Sequence, residues 1–433
     1  MKQNGIRRNG GGTLACTVPH RVVVTGLGVV APNGLGKRAF WESTLSGASF
    51  VTAIDRFDTS RYSCRVGGSV AGFNAREYLP QLTVNQTDRS THMALACCHM
   101  ATKDAELDLR REDPLAVGMY FGNVFGGMEF AERELYAQSF IGPERVSAYQ
   151  SIAWFYAATQ GQWSISQGIK GFGKSVVADR VGGHQALLLG ALAIRQGHAS
   201  VVYAGGFEAP LVPYVFRIHE SSRLLSTADG AAGRIYRPFD LARSGLVLAE
   251  GSAVLILEEA EHARARGAHV YAELSGGAFN CDGRQAAHLS SEYLAVCLRR
   301  ALDDAGIEAD QVDCVLPEGV AVRDLDYREA RGIHEVFGSF DTAVSIPKSR
   351  IGHALAASGP LDAAWACLML SHNTLPPPVN LEILDSGEVP LKVAPAGAPA
   401  DRLDTLVCCA SGFGGVNTAF VLQRFAEENA NGR

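Results

Sequence analysis

Short apolar runs closed by glycines alternate with longer amphipathic stretches along this chain, the pattern of strands feeding helices. The first run, Arg21 to Pro32, predicts a buried strand followed by a glycine turn. Its Gly-Leu-Gly begins like a dinucleotide fingerprint but lacks the third glycine and a helix that opens at once, so the glycines are assigned to a tight backbone turn. From Ser175 to Gly183 a β-branched strand passes through a tight turn into the Ala- and Leu-rich helix His184 to Gln196. Ala199 to Gly206 is another strand ending in glycines, and Gly245 to Gly251 leads into the apolar strand Ser252 to Leu257 and the charged helix Glu258 to Arg266. A second half opens near Val270. It holds a helix from Ser291 to Ala305, the strands Val312 to Leu316 and Ala343 to Ile346, a glycine-rich turn, the helix Leu361 to Leu370, and the strand Thr405 to Ala410, which ends in SGFGGVN. Both halves repeat strand, helix, strand, which predicts an α/β fold, largely parallel inside and pseudo-duplicated.

At 433 residues, 47% hydrophobic and 19% charged, the chain is long enough for a large core or two fused ones. The expected divisions are an N-terminal extension over residues 1–18, a first half over 19–266 and a second over 267–433. The extension is Gly-, Arg- and Asn-rich without an apolar segment, so it is expected to be disordered and not a secretory signal. A net charge of −6 gives no basis for non-specific binding to nucleic acid or membrane, although a local Arg or Lys cluster would serve a small acidic carrier protein. Ten scattered cysteines without metal-ligand spacing predict a reduced, cytoplasmic, metal-free protein.

The turn before the helix at 184 has the shape of a nucleophile elbow. The first turn of a helix offers unpaired N–H groups and positive partial charge, which lower a thiol's pKa and hold an anionic intermediate. The side chain presented here is Arg180, a permanently protonated guanidinium that cannot attack a carbonyl.

Five segments together resemble the β-ketoacyl synthase family: VVVTGLGVVAPNG near the start, IDRFDTSRY at 54–62, RPFDLARSGLVLAEGSAVLILEEAEHARARGA at 237–268, IPKSRIGHALAASGPLD at 346–362 and ASGFGGVNTAF at 410–420. The resemblance covers nearly the whole chain after residue 20 and implies a thiolase-like fold, a duplicated five-layer αβαβα. In that family an elbow cysteine takes the acyl chain, two histidines act on the malonyl unit and a lysine supports the site. Carried over by position, the cysteine becomes Arg180 and the first histidine Glu318, while Lys348, the second histidine His353 and the supporting Glu329 persist as vestiges. The segments Gly126 to Leu135, Gly142 to Tyr149, Ala153 to Ala158 and VVADRVGG narrow the resemblance to the chain length factor, or ketosynthase β subunit, of type II polyketide synthases.

That resemblance implies a subunit with no catalytic residue and no cofactor or metal of its own. Its partners would be a catalytic ketosynthase α subunit in a heterodimer, an acyl carrier protein bringing malonyl units on phosphopantetheine, and the polyketide intermediate. The elbow residue of the best-known members is glutamine, so no role of that side chain transfers to Arg180. His353 and Phe413 are kept here where many members making aromatic products have lost them, which points to a branch nearer the synthases, such as those making polyenes.

Met128, Ala131 and Leu135 recur at i, i+3 and i+7 and so share one helix face, by default a core stripe. The resemblance places them at the tunnel gate between the two subunits, and their modest bulk implies a long cavity and a long product. Trp154, Phe155 and Tyr156 are expected at the dimer contact more than in the interior. Arg180 is expected to pair with Glu318 or with Asp179 as a plug, the alternative being that it turns to solvent or backbone. Lys348 and His353 are expected to be satisfied buried polar groups, with Lys348 paired to Glu329 or Glu318; the alternative is that they still bind a malonyl group. An active condensing enzyme is excluded by the lack of Cys or Ser in the elbow. The remaining rival is a non-catalytic homodimer that binds an acyl chain or lipid.

Overall fold

The computed structural model describes residues 20–283, 290–385, 387, 390–394 and 402–426; the expected N-terminal extension, residues 1–18, lies outside them. The strands that build the core are β1 (Val22–Ala31), β2 (Val117–Gly122), β3 (Gly173–Val176), β4 (Val201–Glu208), β5 (Gly251–Glu259), β6 (Ala272–Cys281), β7 (Cys314–Leu316), β8 (Ala343–Val344), β9 (Thr405–Gly412) and β10 (Val416–Gln423). They lie in the order β8-β7-β9-β10-β6-β1-β5-β4-β2-β3. From either outer edge inward the two halves match strand for strand, β3-β2-β4-β5-β1 against β8-β7-β9-β10-β6. The join is narrow: β1 meets β6 only through Val23 with Glu273 and Val24 with Ala272.

Pairing is mixed, not largely parallel as the alternation of elements predicts. The outer strands are parallel (β3 and β4 to β2, β8 and β9 to β7), whereas β5 runs antiparallel to both β1 and β4, and β10 to both β6 and β9. The physical reason is clearest at β9 and β10, which a short turn through Gly414 and Gly415 joins as a hairpin, a connection too short for parallel strands.

Six helices complete five layers: α1 (Arg89–Asp104), α2 (Met128–Phe140), α3 (Gly182–Arg195), α4 (Ser291–Ala305), α5 (Arg323–Phe337) and α6 (Ser358–His372). α3 and α6 fill the middle, where Leu187, Ile194, Trp365 and Met369 meet strand residues of both halves. α6 is buried on every side from Ser358 to Leu370, which is why its apolar residues show no single stripe. α1 covers the outer face of the first half through Met93, Leu95 and Cys97, and α4 and α5 cover the outer face of the second through Leu298 and Ile333.

Two local expectations change. Gly26 and Gly28 lie inside β1 and make no turn; a Cβ at either would come within 2.4 Å or 1.9 Å of the carbonyls of Ala101 and Cys97, so these glycines let α1 press onto the strand. Glu258 lies within β5, which runs on to Glu259, and does not start a helix, which spans only Ala260–Ala265. Its buried carboxylate is held by Thr25, His262 and Arg266, a set of partners invisible to local patterning. Among the described residues no helix is long and apolar enough to cross a membrane.

Candidate functional site

β3 delivers the chain into a strained turn, with Asp179 in the left-handed region at φ +48°, and α3 opens two residues after Arg180. The glycine pair that starts α3 is set by packing, since a Cβ on Gly183 would lie 2.0 Å from the Ala356 carbonyl. Arg180 is buried, and a buried cation needs compensation. Its Nε donates to Glu318 Oε1 at 2.6 Å, Nη2 donates to the Ser411 carbonyl at 2.7 Å, and Nη1 lies 3.3 Å from Asp179. Burial alone would lower the guanidinium pKa; Glu318 and Asp179 overcome it and raise it above the ordinary value.

Glu318 follows β7 and is equally buried. Its Oε2 accepts from the Ser411 amide at 3.1 Å, and His353 Nε2 stands 3.3 Å from Oε1 without the alignment of a full hydrogen bond. Burial would push this carboxyl up, but Arg180 and His353 hold it below the usual carboxylate range. The Leu355 amide donates to His353 Nδ1 at 3.1 Å, which assigns the ring proton to Nε2, and burial keeps the imidazole neutral by lowering its pKa.

Lys348 and Glu329 correct one expectation. Lys348 Nζ binds Asp362 of α6 at 2.5 Å, not Glu329 or Glu318. Both Glu329 oxygens are already engaged by backbone, accepting from the amides of Glu318 at 2.5 Å and Gly319 at 2.9 Å. Glu329 therefore acts as a brace for the turn that carries Glu318, its carboxyl pushed up to about 8 by burial and then by the Glu318 charge. Asp362 outweighs burial and raises Lys348 above its ordinary value.

The turn presents a guanidinium in place of a Cys or Ser nucleophile, and the group facing it is the anionic acceptor Glu318. Asp179, Arg180 and Glu318 instead clasp one strand end, since Ser411 is held through both its N–H and its C=O, and the Phe413 amide donates to Asp179 at 2.6 Å.

His184, the third residue of α3, was not singled out by sequence reasoning because nothing local distinguishes it from a helix-surface histidine. It is fully buried, its ring lies tilted at 49° with its centroid 5.6 Å from that of Phe420, and neither ring nitrogen has a hydrogen-bond partner among the described residues. Burial, helped by Lys348, pushes it down to about 3. The unfolded chain then binds one more proton than the native one between that value and an ordinary histidine pKa of about 6.5. Stability is therefore full above the upper limit and falls with pH through the window. His184→Leu is expected to weaken that acid slope by about one proton and to move the acid unfolding midpoint down, as read by circular dichroism during acid titration.

The residues expected at the gate and at the interface lie on neighbouring segments. Met128 packs partly buried against the cluster that includes Leu211 and Val212, Ala131 is 5% exposed, and Leu135 is 52% exposed. The stripe thus rises out of the core, and beside its exposed end stand Tyr136, Phe140 and Ile141. Trp154 and Phe155 are 43% and 51% exposed and Tyr156 is half-buried, so the aromatic run is not interior.

Comparison with known proteins gives the family. The family model for the β-ketoacyl synthase N-terminal domain matches residues 20–263, and that for the C-terminal domain matches 271–382. The tetracenomycin polyketide synthase ketoacyl synthase beta subunit of Streptomyces glaucescens is 38% identical over 94% of this chain and 99% of its own length. Among solved structures, the ishigamide ketosynthase/chain length factor superposes with a TM-score of 0.89 at 25% identity, over 94% of this chain and 100% of that one. A type II PKS acyl-carrier protein complex with its ketosynthase bound to the hexaketide, AntDE:AntF, contains a chain that gives 0.86 at 28% identity, over 94% and 100%. On sequence in both halves and on fold, the chain belongs to the β-ketoacyl synthase family.

Proposed function

We infer that this chain is the chain length factor, or ketosynthase β subunit, of a type II polyketide synthase. One observation carries the reading: a synthase fold whose nucleophile turn is filled by the buried Arg180–Glu318 pair. The relatives support it, since they include a ketoacyl synthase beta subunit and a ketosynthase/chain length factor. In this reading two ketosynthase-like halves, 19–266 and 267–433, form a cytoplasmic subunit that pairs with a Cys-bearing ketosynthase. That partner performs decarboxylative Claisen condensation of malonyl units carried on the phosphopantetheine of an acyl carrier protein. This chain lines the tunnel through Met128, Ala131 and Leu135 and so limits how far the polyketide grows.

The exposed Trp154 and Phe155 supply the aromatic anchor area that an obligate interface needs. Co-expression with a ketosynthase from the same biosynthetic system should yield a heterodimer by size-exclusion chromatography and mass analysis. A stable homodimer that retains lipid would favour the binding-protein alternative instead. Within the heterodimer, Trp154→Ala is expected to weaken association by about 30-fold or more, the loss typical of an anchor residue. An unchanged dissociation constant would remove Trp154 from the interface.

A further inference from the structure

The helix carrying the proposed gate lacks a cap of its own. α2 starts after Gly127, which has no side chain to bond the free N–H groups of the first turn. No larger residue fits there: a Cβ on Gly127 would lie 1.8 Å from the Ala153 carbonyl and 2.8 Å from the Asp88 side chain. The missing acceptor comes from another helix. Asp88 is the N-cap of α1, where Oδ1 accepts from the Ser90 amide at 2.8 Å, and its Oδ2 accepts from the Phe130 amide at 2.8 Å. Phe130 is the third residue of α2, a position that an N-cap side chain ordinarily serves.

One buried carboxylate therefore caps two helices whose starts are far apart in sequence. The same junction holds Trp154 and the chain leading into α2: the Gly127 amide donates to the Trp154 carbonyl at 3.3 Å, and Ser90 Oγ donates to the Gly126 carbonyl at 3.1 Å. Phe130 lies between Met128 and Ala131, so its amide fixes the height and rotation of the first turn at the place where the gate stripe begins.

We propose that Asp88 is a specificity-positioning residue, which sets where Met128 and Ala131 stand against the growing chain by capping α2 from outside. The proposal rests on the gate reading of α2. It assigns Asp88 no contact with substrate and no part in the chemistry.

Asp88→Ser separates the two caps. Serine is a good N-cap for its own helix, so α1 keeps its start, but its side chain is one atom shorter and cannot reach Phe130. In the heterodimer supplied with carrier protein and malonyl units, Asp88→Ser is expected to accelerate hydrogen exchange at the Phe130 amide by roughly tenfold. It should also shift or broaden the distribution of product lengths. Asp88→Asn, with one acceptor oxygen for two donors, should shift it less. Ala131→Phe serves as the control for the gate. A changed product length in that control, with both Asp88 variants giving the wild-type distribution, overturns the proposal and leaves Asp88 a purely structural cap. An unchanged length in the control removes the gate reading, and the proposal falls with it.

Discussion

Replacing Arg180 by methionine should destabilise the fold by about 3–5 kcal/mol, the usual result of leaving one partner of a buried ion pair alone. Glu318 would keep the Ser411 amide and the neighbouring His353 but lose the cation that holds its carboxyl low. The pH dependence should reverse sign at this residue. In the native chain the Glu318 carboxyl lies below its unfolded value, so its contribution is present above about pH 4.5 and is lost on acidification. Without Arg180, burial pushes the same carboxyl upward, and the contribution grows as pH falls. Urea unfolding of Arg180→Met at pH 7.5 and 5.5 reads both effects. Adding Glu318→Leu should recover much of the loss, because apolar replacement of a whole buried pair is often neutral. Additive losses in that double-mutant cycle would refute an energetic coupling of the two residues.

Ala131→Phe is expected to change the product most. Ala131 is buried on α2 between the half-buried Met128 and the exposed Leu135, so an aromatic ring there must either overpack the core or project along the stripe into the proposed tunnel. Overpacking costs about 1–3 kcal/mol, which a large subunit tolerates. The tunnel would close earlier, and the main product should be shorter by at least one two-carbon unit. Leu135→Phe should act less, because its site is already open and the added volume can turn to the partner side. Mass spectrometry of products from the reconstituted heterodimer checks this, with heterodimer yield as the control for folding. Wild-type product length from an intact Ala131→Phe complex would count against the gate assignment.

Much of the frame was legible where local pattern and tertiary role coincide. The continuous apolar runs of β1, β4, β5 and β9 are strands because both faces are covered, and α4 was placed from Ser291 to Ala305 as observed. Polar or glycine-interrupted elements escaped. β6 contains Glu273, Ser275, Gly276 and Gly277, and α5 is dominated by charged residues, so neither carries the apolar density that marked the others. Their assignment depends on neighbours: β10 pairs along β6, and α4 packs on α5.

The site divides along the same line. Motif positions alone named Arg180, Glu318, Glu329, Lys348 and His353, and the chemistry of a guanidinium at the elbow needs no coordinates to exclude nucleophilic attack. Partners were a different matter. That Lys348 binds Asp362, that Glu329 braces backbone, and that Asp88 caps a second helix are decided by which oxygens face which donors. Residue identity is local and so is the chemistry it forbids, whereas a buried polar group takes its partner from whatever the packing of distant segments brings within about 3 Å. The sequence thus determined that the elbow cannot take an acyl chain; only the tertiary structure decided what holds the substituted residues in place, because burial makes every unpaired charge too costly to leave and the fold alone supplies its match.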